Sequence, residues 1–111
     1  MDTIHITSLQ TSTQIGVHEW EQRIKQNLLI DITISTDFTA CEDNIAKTID
    51  YDHLCQTVTQ FVESKAFQLI ETVALQVAQL IKHEFSVDEV KVAVSKPHAV
   101  KNAANVQAIT S

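Results

Sequence analysis

With 111 residues the chain has room for one modest hydrophobic core, and we read residues 1–111 as a single domain. Apolar residues at 44% and charged residues at 20% suit a folded globular chain and not a disordered one. A net charge of −6, from 14 acidic against 8 basic residues with no Lys/Arg cluster, argues against nucleic acid and anionic membranes as partners.

Ile4 and Ile6 alternate with Thr3, His5 and Thr7, so residues 3–10 read as a first strand. Thr11-Ser12-Thr13 reads as a polar break. The segment 14–22 follows, with the only glycine, Gly16, and the only tryptophan, Trp20. A lone glycine in a strand-like run marks a bulge or a close backbone approach. Trp20 is expected in core or interface packing. The clearest strand is 28–36, where Leu28, Ile30, Ile32 and Ile34 share one face and Leu29, Asp31, Thr33 and Ser35 the other. One apolar and one polar face predict an antiparallel sheet covered on one side. Residues 37–49 read as a connection with about one helical turn.

Asp50 is placed to cap a helix over 51–64, with Leu54, Val58, Phe61 and Val62 on one face. Residues 65–68 break the pattern. A second helix is predicted over 69–85, its stripe formed by Ile70, Val73, Ala74, Val77, Ile81 and Phe85. Val90, Val92 and Val94 then alternate with Lys91, Ala93 and Ser95 up to Pro97, the only proline. Proline holds the residue before it extended, which makes Lys96 the last residue of a rigid strand, its amine aimed past the sheet edge. A short strand near Val106 and Ala108 ends the chain. The predicted order is β-β-α-α-β-β, an α+β fold with both helices on one face of the sheet.

Few polar residues stand apart from ordinary surface. Lys96 is either an edge lysine that discourages aggregation or a positioned base. Glu71, in the first turn of the second helix, either compensates the helix dipole or grips a ligand through two adjacent N–H donors. Tyr51 opens the first helix, as a core-edge residue or an acid. Glu21 alone is an ordinary exposed glutamate. No histidine or cysteine spacing fits a metal, Cys41 and Cys55 are read as reduced thiols, and a single glycine excludes a phosphate-binding loop, so neither metal nor cofactor is expected. The chain has no apolar run of membrane length and no signal-like start at Met1-Asp2-Thr3, so a cytoplasmic location is expected.

Taken together and in order, Ile15-Gly16-Val17-His18-Glu19-Trp20-Glu21, Asp50-Tyr51, Leu69-Ile70-Glu71-Thr72-Val73-Ala74, Ser95-Lys96-Pro97 and Ala103-Ala104-Asn105-Val106 resemble the dihydroneopterin aldolases of folate biosynthesis. The resemblance implies the tunnelling fold, or T-fold. Four subunits would close a β-barrel ring, two rings would stack into an octamer, and sites would lie at subunit boundaries. It further implies a small-molecule pterin substrate and no cofactor. Glu71 would anchor the pterin, with the backbone beside Ile70 holding the same ring. Lys96 would take the 2′-hydroxyl proton, directly or through a water. Glu21 would position Lys96 and the side-chain hydroxyls, and Tyr51 would shuttle a proton at the enol-like intermediate. Two positions depart from the pattern: His18 stands where tyrosine is frequent, and His98 stands where aldolases often carry glycine and the related dihydroneopterin triphosphate epimerases do not. Lys101 is the only cation adjacent in sequence, which favours an unphosphorylated substrate and the aldolase, with accompanying 2′-epimerase activity.

Overall fold

The computed structural model describes residues 1–111. Five strands, β1 (Asp2–Ile15), β2 (Gln26–Thr36), β3 (Ala66–Phe67), β4 (Val90–Pro97) and β5 (Asn105–Ile109), form one sheet in the order β3-β1-β2-β4-β5. Two helices, α1 (Tyr51–Glu63) and α2 (Ile70–Phe85), pack on one face, α1 over β1 and α2 over β4 and β5. The α+β architecture and both helices agree with the sequence reading, and Asp50 caps α1 by accepting from the His53 N–H at 3.2 Å.

The core forms where the two periodicities meet. Leu28, Ile30, Ile32 and Ile34 of β2 and Val92 and Val94 of β4 are fully buried beneath Leu54, Val58 and Val62 of α1 and Val73, Val77 and Ile81 of α2. The register places Ile30 opposite Val94, Ile32 opposite Val92 and Ile34 opposite Val90. From Ile30 to Ile34, each inward residue of β2 therefore has an apolar neighbour on β4.

Four expectations are corrected. First, β1 runs on through Thr11-Ser12-Thr13. Its pairing with β2 slips by one residue between Ile6 and Leu9, where Ser8 has φ +56° and its N–H reaches the Asp31 carboxylate at 2.6 Å. This bulge moves the inward positions from even to odd numbers. Ile4 and Ile6 lie opposite Ile34 and Ile32, then Leu9 lies opposite Ile30, and Thr11, Thr13 and Ile15 are buried. Buried threonines behind a parity change look like a break; Thr13 meets its burial cost by donating to the Lys65 carbonyl at 2.6 Å. Second, the sheet is mixed, because β3 pairs parallel with Gln14 and Ile15. Two residues are too short to show a period.

Third, Pro97 remains in the ladder opposite Asn105, and Lys96, opposite Val106, lies inside the sheet with its amine turned to Glu21. Fourth, Trp20 does not belong to the core of the chain: it is 58% exposed, on a 3-10 turn over Glu19–Arg23, its ring stacked on His18 at 6.1 Å. The connection after β2 holds two short 3-10 turns, Phe38–Ala40 and Ile45–Lys47. No helix is long and apolar enough to cross a membrane.

Candidate active site

Three chain ends meet at one cavity of about 430 Å³: the exit of β1 at Ile15-Gly16, the end of β4 at Lys96, and the start of α2 at Ile70-Glu71. That volume is in the range of small-molecule pockets.

Gly16 makes the junction. Its φ of +134° is closed to ordinary L residues, and a Cβ built on it would fall among the carboxylate atoms of Glu21. The Gly16 N–H donates to the Phe67 carbonyl at 3.1 Å, continuing the β1–β3 pairing as the chain turns. Glu21 thereby packs against bare backbone at 5% exposure, unlike the exposed glutamate that its local sequence suggests.

A buried carboxylate needs partners, and Glu21 has three. Lys96 Nζ donates to Oε2 at 2.7 Å, Gln26 Nε2 donates to the same oxygen at 3.1 Å, and the His18 N–H reaches Oε1 at 3.4 Å. The Lys96 hydrogen bond is the largest influence holding the Glu21 carboxyl below its ordinary pKa of 4.5; burial opposes it, and Gln26 and His18 reinforce it. Lys96 is itself well covered, its side chain 16% exposed. A lysine and a carboxylate are thus fixed seventy-five positions apart in sequence, on a cavity wall with little access to water.

Glutamine amides hold the frame around this pair. Gln22 Nε2 donates to the Gly16 carbonyl at 2.6 Å and to the Phe67 carbonyl at 2.8 Å. Gln26 Nε2 also donates to the Ile15 carbonyl at 2.8 Å, and Gln14 Nε2 to the Gln22 carbonyl at 2.8 Å. None of the three was picked out by sequence. The available signal is their clustering around the only glycine, at 14, 22 and 26.

The opposite side of the cavity is the N-terminus of α2. Leu69 caps it in an extended conformation with no side-chain cap, so first-turn N–H groups are left for other partners. Ile70 is buried there, while Glu71 is exposed and makes no ion pair. A carboxylate acceptor beside helix N–H donors matches the edge of a flat heterocycle that carries both donors and acceptors.

Of the residues singled out by sequence, Glu21, Ile70, Glu71 and Lys96 line this cavity; Tyr51 does not. The His53 ring of α1 meets the Phe85 ring of α2 at 5.5 Å, so the start of α1 lies against the end of α2. Glu71 and Phe85 are fourteen positions apart in one helix. At ~1.5 Å per residue the Tyr51 end of the helical layer lies about 20 Å from the cavity. Tyr51 is 62% exposed. No group of three His, Cys, Asp or Glu side chains is placed to hold a metal, and both cysteines are free.

The family model for dihydroneopterin aldolase matches residues 4–110. Dihydroneopterin aldolase of Haemophilus influenzae is 40% identical over 108 residues, covering 96% of this chain and 92% of that protein. The atomic-resolution crystal structure of Escherichia coli dihydroneopterin aldolase in complex with neopterin superposes with a TM-score of 0.94 at 40% identity, covering 99% of this chain and 97% of that one. Dihydroneopterin triphosphate 2′-epimerase of Pseudomonas aeruginosa is more distant, 30% identical over 109 residues, covering 96% of this chain and 88% of that protein.

Proposed function

The chain belongs to the dihydroneopterin aldolase family, with the α+β T-fold of its relatives, and from that premise we propose that it cleaves 7,8-dihydroneopterin into 6-hydroxymethyl-7,8-dihydropterin and glycolaldehyde. The observation that carries this reading is the buried Lys96–Glu21 pair at 2.7 Å, in the wall of a cavity whose other side is the N-terminus of α2.

In this reading Glu71 accepts hydrogen bonds from the pterin ring N–H and 2-amino group, and the backbone at Ile70 holds the same edge. The substrate side chain then runs toward β4. Lys96, directly or through one water, takes the proton of the 2′-hydroxyl, while Glu21 orients the lysine and the hydroxyls. The C1′–C2′ bond breaks, C2′ leaves as the aldehyde carbon, and the electron pair passes into the N5=C6 imine of the dihydropterin. That imine is the electron sink, so the chemistry needs no cofactor. Protonation at C1′ gives the hydroxymethyl product, and Tyr51 delivers that proton. Re-addition of the aldehyde on the other face of C2′ gives the 2′-epimer, the side activity consistent with the epimerase relative.

Tyr51 takes part only if a second subunit brings it. Its place at the far end of the helices supports a site at a subunit boundary. The sheet also ends in two open edges: β3 covers only Gln14 and Ile15 of β1, and the outer edge of β5 is unpaired. Open edges invite pairing with another copy, and head-to-tail pairing of such edges closes a ring. We read the assembly as two stacked tetrameric rings of single-domain subunits, residues 1–111, acting in the cytoplasm.

The test is product analysis after incubation of the pure protein with 7,8-dihydroneopterin, without added metal or nucleotide. Release of 6-hydroxymethyl-7,8-dihydropterin and glycolaldehyde is expected. The 2′-epimer alone would reassign the chain to epimerisation, and a bound but unreacted pterin would make it a binding protein.

A further inference from the structure

Gln26 is the first residue of β2 and continues its inward row, on the same side as Leu28, Ile30, Ile32 and Ile34, all fully buried. Its partner on β1 is the buried Thr13. Packing alone would place an aliphatic side chain here. An amide stands there instead, half-buried between the main cavity and an adjoining one of about 510 Å³ that also has Lys25, Lys96 and His98 in its wall. It uses both hydrogens of its nitrogen, one on the Ile15 carbonyl at 2.8 Å and the other on Glu21 Oε2 at 3.1 Å.

The two acceptors differ in freedom. The Ile15 carbonyl belongs to the sheet, at the close of β1, and holds the nitrogen end of the amide in a fixed place. The Glu21 carboxylate hangs on rotatable bonds. Its Oε2 takes both side-chain donors, Lys96 at 2.7 Å and Gln26 at 3.1 Å, whereas Oε1 has only the His18 N–H at 3.4 Å. A carboxylate oxygen accepts more than one hydrogen bond, so Oε1 keeps unused acceptor capacity. Without Gln26, only Lys96 and the long His18 contact would oppose rotation of the carboxylate, and Lys96 is the very group whose place the carboxylate sets. After the Lys96 bond, and against the opposing effect of burial, Gln26 is also the next influence that holds the Glu21 carboxyl below its ordinary pKa.

We propose that Gln26 is a positioning residue for the cleavage: anchored on the Ile15 carbonyl, its amide fixes Oε2 of Glu21, so that the carboxylate holds Lys96 at the 2′-hydroxyl and turns Oε1 to the side-chain hydroxyls of the substrate. The inference rests on the reading of the main cavity given above, and gives Gln26 no contact with the reacting atoms. Gln22 is the internal comparison. Its amide donates to the Gly16 and Phe67 carbonyls and not to Glu21, so it braces the same frame without steering the carboxylate. The titratable groups that share the cavity with Glu21 are Lys96 from β4, Glu71 from α2, His18 before the 3-10 turn and His98 after β4. Of these side chains only Lys96 bonds to it.

The test compares kcat, KM and the pH profile of kcat/KM for 7,8-dihydroneopterin in the unaltered protein and in Gln26→Met, Gln26→Glu and Gln22→Met. Methionine matches glutamine in length and removes the donor, so Gln26→Met is expected to fold with the apolar row of β2 extended. Its kcat should fall by about tenfold to hundredfold, as for a small misplacement of a reacting group. KM should stay within about twofold, because the anchor at Glu71 is untouched. Losing a donor to the charged form raises the Glu21 pKa, so the acid limb should move to higher pH. Gln26→Glu sets a second carboxyl against Oε2, and two carboxylates at one site raise one pKa. Its activity should return as pH falls and the added carboxyl, protonated, donates to Oε2 again. Gln22→Met should lower stability in urea and leave the acid limb in place. Unaltered kcat with an unmoved acid limb in Gln26→Met overturns the proposal. An equal shift in Gln22→Met also overturns it, making the effect one of a loosened frame, as does a rise in KM at constant kcat, which would place Gln26 in binding. If the unaltered protein cleaves nothing, the reading of the cavity fails by itself, and urea unfolding against pH decides about Gln26. The acid loss of stability due to Glu21 should then be smaller in Gln26→Met and end at higher pH; an unchanged loss overturns the placement of Glu21 by Gln26.

Discussion

Gly16→Ala adds one carbon where β1 ends, and that carbon falls in space held by the Glu21 carboxylate. Two penalties follow. Holding an L residue at φ +134° costs about 1–3 kcal/mol. The second arises because Glu21 must move, separating it from Lys96, now 2.7 Å away with side chains only 7% and 16% exposed. Losing one partner of a buried ion pair costs about 3–5 kcal/mol. The combined loss of about 4–8 kcal/mol is a large share of the ~5–15 kcal/mol that stabilises a typical domain. Urea unfolding at fixed protein concentration reads the stability, and turnover by the soluble fraction reads the site. Glu21→Ala vacates the space that the new methyl needs and already forfeits the ion pair, so the double variant should be about 3–5 kcal/mol more stable than the sum of the two single losses implies. Additive losses, or unaltered turnover in Gly16→Ala, would refute the claim that this glycine exists to seat Glu21.

The other predictions concern base, anchor, acid sensitivity and assembly. Lys96→Ala should lower kcat by about 10²–10⁴-fold, the usual contribution of a positioned base, while pterin binding persists in a fluorescence titration; Glu71→Ala should instead abolish binding, and the reverse pattern would exchange the roles. The Glu21 pKa is held below 4.5 in the folded chain, so the unfolded chain takes up the proton first as pH falls. Its stabilising contribution is therefore complete above the ordinary carboxylate range and lost as pH drops through 4.5 toward the folded value. Glu21→Gln should show a shallower fall in urea stability over this acid window; Asp37, also held low by its bonds from Thr39, stays as a common background in both proteins. If Tyr51 acts in a neighbour's site, inactive Tyr51→Ala and Lys96→Ala proteins, unfolded and reassembled at equal ratio, should regain activity at about a quarter of their sites. Mixed assemblies without activity would place Tyr51 and Lys96 of one site on the same subunit and refute the shared site.

Much of the fold was legible in sequence because burial follows simple periods. The alternation from Leu28 to Ser35 and the stripes of the two helices reappear in the core, and Asp50 caps the helix it was expected to cap. Lys96, Glu71 and Ile70 were picked out, by rules on strand ends and helix starts together with the family resemblance, and all three line the main cavity. Periodicity failed where a local event reset it: the Ser8 bulge exchanged inward and outward positions in β1, and β3 has only two residues.

Tertiary structure alone decided the electrostatics. Nothing local distinguishes Glu21 from Glu19, which forms an exposed pair with Arg23. Only the closure of the β1 exit on the end of β4 buries Glu21, and burial obliges it to take Lys96 and Gln26 as partners. The same closure gathers Lys25 and His98 beside Lys96 and leaves Tyr51 at the far end of the helices. Sequence alone determined both helices and the strands that keep a clear period, since those depend on neighbours a few residues apart. Which charges meet depends on how the ends of those segments converge in space, and sequence separation carries no record of that distance.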